Sequence, residues 1–334
     1  MKIAFLEIED WECDYLKQKL IGHELIFFKH AIDEFDFAKY SDIDLLSIFI
    51  YSKIDASVLD KFLKLKGIFT MSTGYDHIDV AECKKRNISV YYVPSYGENT
   101  VAEHAFALLL AISRKLLPSI ERMKKGNMNL DGLRGFDIKG KTIGVIGTGK
   151  IGVHFIKFSK AFDANIIAYD SYPKFDLQDK LGFKYVSLKE LLQQSDIISL
   201  HCPLTPETTH LIDKEQILQM KKGVIIINTA RGGLISTEAI LEGLEKEIIS
   251  YAGLDVLEEE CAIKEEKQLL SRKFACVVDL RTALEEHVLI DNERVLITPH
   301  NAFNSNESLI RILDTTIENI NNLLNKNETN KVNS

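Results

Sequence analysis

Arg231, Glu260 and His300 stand at or just beyond the ends of apolar runs in the second half of the chain, and their side chains suit one kind of reaction. A histidine titrates near neutral pH, so it can give or take a proton while a hydride moves to or from a nicotinamide. A carboxylate behind the ring would fix its tautomer and favour its protonated form, and an arginine offers a planar fork to a substrate carboxylate. Taken together the three describe the reduction of a 2-oxo acid. Taken singly each has a plainer reading: Arg231 as a surface-loop residue, Glu258-Glu259-Glu260 as a solvated acidic turn, His300 as a core or capping histidine. Their shared placement at one sheet edge is what favours chemistry.

A hydride needs a carrier, and the stretch from Lys141 to Asp170 reads as the site for one. An apolar run, Thr142 to Ile146, leads into Gly147, Gly149 and Gly152 in G-x-G-x-x-G spacing, and a helical pattern follows to near Asp163. In a dinucleotide fold the first glycine permits the turn, the second lets backbone approach the pyrophosphate, and the third lets helix and strand pack closely. The helix N-terminus offers free N–H groups to the phosphates. A second run, Ile166 to Tyr169, delivers Asp170, whose carboxylate can accept the ribose hydroxyls of NAD and would repel the 2′-phosphate of NADP.

The elements that must position these residues alternate between strand-like and helix-like. Strands are expected at 2–8, 24–28, 45–50, 67–72 and 89–93, which makes a first α/β domain with parallel strands. Its ligand edge would carry Ser72-Thr73-Gly74-Tyr75 and Val93-Pro94-Ser95-Tyr96-Gly97. A long apolar helix is expected over 100–125, bent or ended at Pro118, and the domain boundary falls near residue 100. After Asp170 the alternation resumes through strands at 184–187, 196–201, 224–229, 250–256 and 294–298. The segment 258–292 shows no clean period, and the Lys-Asn-rich end beyond Leu324 reads as frayed.

Composition agrees. A chain of 334 residues with 46% hydrophobic and 27% charged residues has room for two ordinary globular domains. The net charge of -8 argues against nucleic acid as a partner. Cys13, Cys83, Cys202, Cys261 and Cys276 are scattered with no C-x-x-C pair, which points to a reducing cytoplasm without disulfides or a metal centre. The N-terminus lacks the apolar core of a signal peptide, and no uncharged apolar stretch approaches the ~18 residues of a membrane span.

The runs Gly147–Gly152, Asn228–Gly233, Gly253–Glu260 and Thr298–His300 resemble the signature set of the NAD-dependent D-isomer-specific 2-hydroxyacid dehydrogenases. The resemblance implies two doubly wound α/β domains. A flavodoxin-like catalytic domain over 1–99 would be completed by 301–334, and a Rossmann NAD-binding domain would span 100–300. It also implies a homodimer built on 100–140. By motif, Arg231 would hold the substrate carboxylate and 2-oxo group, His300 would be the acid/base, and Glu260, five places beyond Asp255, its partner. Lys150, Ile151, His201, Cys202, Pro203, Thr208, Thr229, Ala230 and Asp255 would join the glycines and Asp170 around the cofactor, with Cys202 packing rather than attacking. Tyr96, Thr73 and Gly74 would meet the substrate, as in the D-lactate dehydrogenase branch. The loops 73–76 and 94–98 contain no Lys or Arg, unlike members acting on phosphorylated acids. Asn304 stands where that branch has an aromatic, so reduction of a branched or aromatic 2-oxo acid is the alternative, with an NAD-sensing corepressor a third reading.

Overall fold

The structure, a computed structural model, describes residues 1–258 and 279–333. The chain forms two compact units, Met1–Gly97 with Ser305–Ser334, and Glu98–Asn304.

The first unit carries strands β1 (Lys2–Phe5), β2 (Glu24–Phe27), β3 (Leu45–Ile48), β4 (Gly67–Thr70) and β5 (Ser89–Tyr91), all parallel, in the order β2-β1-β3-β4-β5. That is the flavodoxin-like order, whose ligands lie beyond the carboxyl ends of the strands. Each strand is shorter than its apolar run. At β1 the reason is visible: Glu7 adopts a left-handed backbone (φ 59°) and turns the chain out of the sheet. Helix starts follow capping side chains, with Asp55 accepting from Val58 N–H before α3 (Ala56–Leu59) and Asp79 from Glu82 N–H before α4 (Val80–Lys85). Helices α1 (Asp10–Lys19) and α2 (Phe37–Tyr40) complete the N-terminal part.

The end of the chain is not frayed. Val332 N–H donates to Val90 O at 2.8 Å, and the Asn333 side chain accepts from Val90 N–H at 2.9 Å while donating to Ile88 O at 2.7 Å. A Lys-Asn-rich tail reads as solvated, yet an asparagine amide reproduces both groups of a peptide bond and can pair with a sheet edge.

The second unit opens with α5 (Glu98–Ser113) and α6 (Leu116–Lys124). The break between them is not at Pro118, as the sequence suggested, but at Lys115 (φ 52°). Ser113 O is taken there by Phe136 N–H at 2.9 Å. Pro118 sits in the first turn of α6, where a missing N–H costs no helical bond. Helix α5 buries Val101, Ala102, Ala105, Phe106, Leu108, Leu109 and Ile112, and packs against α7 (Lys150–Ala161) and β11 (Ile249–Leu254).

The other strands are β6 (Thr142–Ile146), β7 (Asn165–Tyr169), β8 (Lys184–Tyr185), β9 (Ile197–Leu200), β10 (Val224–Asn228) and β12 (Val295–Ile297). They form a parallel seven-stranded sheet ordered β12-β11-β10-β9-β6-β7-β8, a Rossmann arrangement whose order reverses between β6 and β9. Helices α8 (Phe175–Leu181), α9 (Leu188–Gln194), α10 (Lys214–Leu218) and α11 (Thr237–Glu245) connect the strands. The segment without clean period contains α12 (Leu280–Ile290). That helix buries Ala283, Glu286 and Leu289 but exposes Leu280, Leu284 and Val288, so apolar residues occupy both faces and blur the 3.6-residue signal. Helix α13 (Asn306–Leu324) then returns the chain to the first unit. Among the described residues no helix is long and apolar enough to cross a membrane, and no cluster of ligating side chains could hold a metal.

Candidate active site

The glycine loop between β6 and α7 has the geometry a dinucleotide needs. Gly147 has φ 93° and lies against the His201–Cys202 backbone, where an added Cβ would stand 2.7 Å from Cys202 N. At Gly152 a Cβ would stand 2.1 Å from Gly147 O, so only glycine lets α7 start this close to its own loop. An added Cβ at Gly149 meets nothing within 4 Å, which leaves the space above the loop open, and no side chain caps α7. These free N–H groups and this opening fit a pyrophosphate.

Asp170 follows β7 and is built into the loop. Its Oδ2 accepts from Thr148 N–H at 2.6 Å and Thr148 Oγ1 at 2.8 Å, and its Oδ1 from Tyr172 N–H at 2.9 Å. A carboxylate has about four acceptor positions, and the loop donors hold this one in a fixed orientation. Tyr185 OH lies 2.7 Å from Thr148 Oγ1.

After β9, the His201 ring lies 4.9 Å from that of Phe155, with Nε2 2.9 Å from Ser199 Oγ. Burial pushes this imidazole down to about 3, so it is neutral in the folded protein. An unfolded chain protonates the same ring near its ordinary 6.5 and the folded one does not. Stability should therefore fall as pH drops from about 6.5 toward 3, by a few kcal/mol over the window. His201→Gln should flatten that part of a chemical-denaturation series; an unchanged slope would count against a neutral buried ring. Burial likewise pushes the Cys202 thiol up to about 11, which keeps it protonated near neutral pH. Pro203 follows, and Thr208 Oγ1 donates to Pro203 O at 2.7 Å, closing the loop on itself.

Arg231 and His300 are placed by neighbouring strands. After β10, the Asn228 side chain accepts from Ala230 N–H at 3.0 Å and donates to Arg231 O at 2.9 Å, stapling the turn Thr229-Ala230-Arg231. Arg231 is half-buried, with Nη1 donating to Ala230 O at 2.7 Å. Gly232 lets this turn touch the segment after β11: a Cβ there would stand 2.0 Å from Leu257 C and O. Beyond β11 is Asp255, 1% exposed, whose carboxylate accepts from Thr298 Oγ1 at 2.5 Å and from the N–H groups of Asn301 and Ala302, each at 2.8 Å. Burial pushes this carboxyl up, but hydrogen bonds from His104, Thr298 and the two amides outweigh it and hold it below its ordinary value. His300 follows β12 in a left-handed conformation (φ 49°), its N–H bonded to Asp255 O at 2.9 Å.

The acidic triplet divides. Glu258 is engaged, accepting from Thr237 N–H at 2.6 Å at the start of α11 and lying 2.5 Å from His210 Nε2. Glu260, the expected partner of His300, lies outside the described residues, as do Glu259, Cys261 and Cys276. In the first unit, Thr73 Oγ1 donates to Val93 O at 2.8 Å and Ser72 Oγ to Gly74 O at 2.6 Å, so the loops after β4 and β5 brace each other. Among the described residues neither the Thr73 nor the Gly74 N–H has an acceptor. Arg311 of α13 donates to Tyr96 O at 3.0 Å. No sequence motif assigns a role to His104 or Tyr185, and Asn228 enters only as the first residue of the run Asn228–Gly233. His104 is a lone histidine in an apolar helix, a pattern without a motif.

A parallel sheet reversing beside a glycine loop, with an acid after the next strand, defines a dinucleotide-binding protein. A family model described as D-isomer specific 2-hydroxyacid dehydrogenase, NAD binding domain, matches residues 106–302. A D-lactate dehydrogenase of Escherichia coli (strain K12) is 35% identical over 335 residues, 97% of each chain. A 2-hydroxyacid dehydrogenase homolog of Zymomonas mobilis is 36% identical over 325 residues, 96% of each. Among solved structures, D-lactate dehydrogenase from Aquifex aeolicus, complexed with NAD and lactic acid, matches with a TM-score of 0.86 and 33% identity, covering 99% of both chains. The chain belongs to the D-isomer-specific 2-hydroxyacid dehydrogenases, and its cofactor is NAD.

Proposed function

We propose that the protein reduces pyruvate to D-lactate. One observation carries the proton-and-carboxylate part: Arg231 and His300 follow β10 and β12, the two neighbours of β11, and both turns are tied to the segment that β11 delivers. The bound cofactor supplies the hydride. Arg231 holds the substrate carboxylate through its fork, His300 gives its proton to the new hydroxyl oxygen, and Glu260 keeps that ring charged. In this reading Tyr96 and the N–H groups of Thr73 and Gly74, in the first unit, are substrate-binding groups. The absence of Lys and Arg from 73–76 and 94–98 favours a small unphosphorylated acid. Asn304, whose Nδ2 donates to Asn301 Oδ1 at 3.0 Å, favours a second reading in which the pocket takes a branched or aromatic 2-oxo acid. Helix α6 buries none of its residues and exposes Leu116, Leu117, Ile120 and Met123, which supports pairing of two copies through this segment.

The test is NADH oxidation with pyruvate, 2-oxoisocaproate, phenylpyruvate and 3-phosphohydroxypyruvate. The expected result is highest kcat/KM with pyruvate, and a larger acid in first place would move the assignment to the second reading. In the same assay NADH should be strongly preferred to NADPH, with Asp170→Ala losing at most a few kcal/mol of that discrimination. Equal use of both cofactors by the unmutated protein would refute the role of Asp170.

A further inference from the structure

We propose that His104, on α5, is a positioning residue that holds the His300 turn in place through Thr298 and Asp255; the proposal rests on the reading of His300 as proton donor. His104 Nε2 lies 3.0 Å from Thr298 Oγ1 and 3.4 Å from Asp255 Oδ1, and Thr298 Oγ1 lies 2.5 Å from the same Oδ1. Counting hydrogens orients the set. Thr298 has one O–H, and the ionised Asp255 can only accept, so that hydrogen goes to the carboxylate. The Thr298 oxygen must then accept from His104, which therefore carries its hydrogen on Nε2.

The same residue, Asp255, holds the turn. Its Oδ1 accepts from Asn301 N–H and its Oδ2 from Ala302 N–H, while its carbonyl accepts from His300 N–H. A left-handed backbone is costly for a non-glycine residue, and here Asp255 gathers the bonds that hold it, His300 N–H on its carbonyl and the next two N–H groups on its carboxylate. His104 adds to them a donor from a helix packed inside the same unit, with its side chain 20% exposed.

The experiment compares His104→Phe with His104→Gln, which keeps an N–H donor at similar reach. His104→Phe should lower kcat for 2-oxo acid reduction by about tenfold with KM changed less, the cost of a turn displaced from the reacting geometry. Amide exchange at Asn301 and Ala302 should quicken by a comparable factor. His104→Gln should restore both to within about threefold. Equal loss in the two variants would make His104 a packing residue and overturn the proposal, as would a Phe variant with unchanged kcat and exchange. If His104→Phe does not fold, Thr298→Val against Thr298→Ser asks the same question, and equal behaviour of that pair overturns it too. Lack of turnover in the parent protein overturns the reading of His300 as proton donor alone, and the exchange comparison then decides the positioning role of His104 by itself.

Discussion

His300→Asn should lower kcat for 2-oxo acid reduction by about 10²–10⁴-fold, the usual worth of a positioned acid, while NADH still binds. Asparagine is the informative replacement because His300 has φ 49°, a conformation that costs asparagine less than alanine. The turn, its N–H bond to Asp255 O and the neighbouring amide bonds then survive, and only the proton is lost. Steady-state kinetics with pyruvate and a fluorescence titration with NADH separate the two effects. A kcat within about tenfold of the parent would remove His300 from the role of acid.

Gly232→Ala should do comparable damage without touching a group that reacts. Its Cβ would stand 2.0 Å from Leu257 C and O and 2.5 Å from Glu258 N, which is backbone against backbone, so one of the two segments must move. The expected cost is about 1–3 kcal/mol of stability, as for other overpacked positions. Because Arg231 precedes this glycine, kcat/KM for the oxo acid should fall by about 10²-fold. Gly149→Ala is the contrast: it has open space, so the melting temperature should hold while NADH affinity drops. Equal melting temperatures and equal kcat/KM for Gly232→Ala and the parent would show that the contact yields freely.

The nucleotide loop was legible in the sequence because glycine spacing is itself geometry: Gly147 supplies a positive φ and Gly152 a close approach, and nothing else fits either place. Arg231 and His300 were legible as strand-end polar residues, though only the fold shows that β10 and β12 flank β11. Less legible was whatever depends on partners distant in the chain. Lys115 breaks α5 from α6 beside a loop more than twenty residues on, while Pro118, the obvious breaker, lies where proline is tolerated. Helix α12 hides because its apolar residues are divided between core and solvent. Asn333 reads as tail because no local pattern says that a sheet edge will need its amide.

Helix α13 and the residues after it also set an order of assembly. An added Cβ at Gly67 in β4 would stand 2.8 Å from Leu323, and β5 takes its last bonds from Val332 and Asn333. During synthesis the strands made first must therefore wait, with one face of their sheet uncovered, until more than two hundred later residues have left the ribosome. Glu98–Asn304 carries its whole sheet in one continuous stretch and can close before that. The N-terminal unit is thus the one left with uncovered apolar surface while the chain grows.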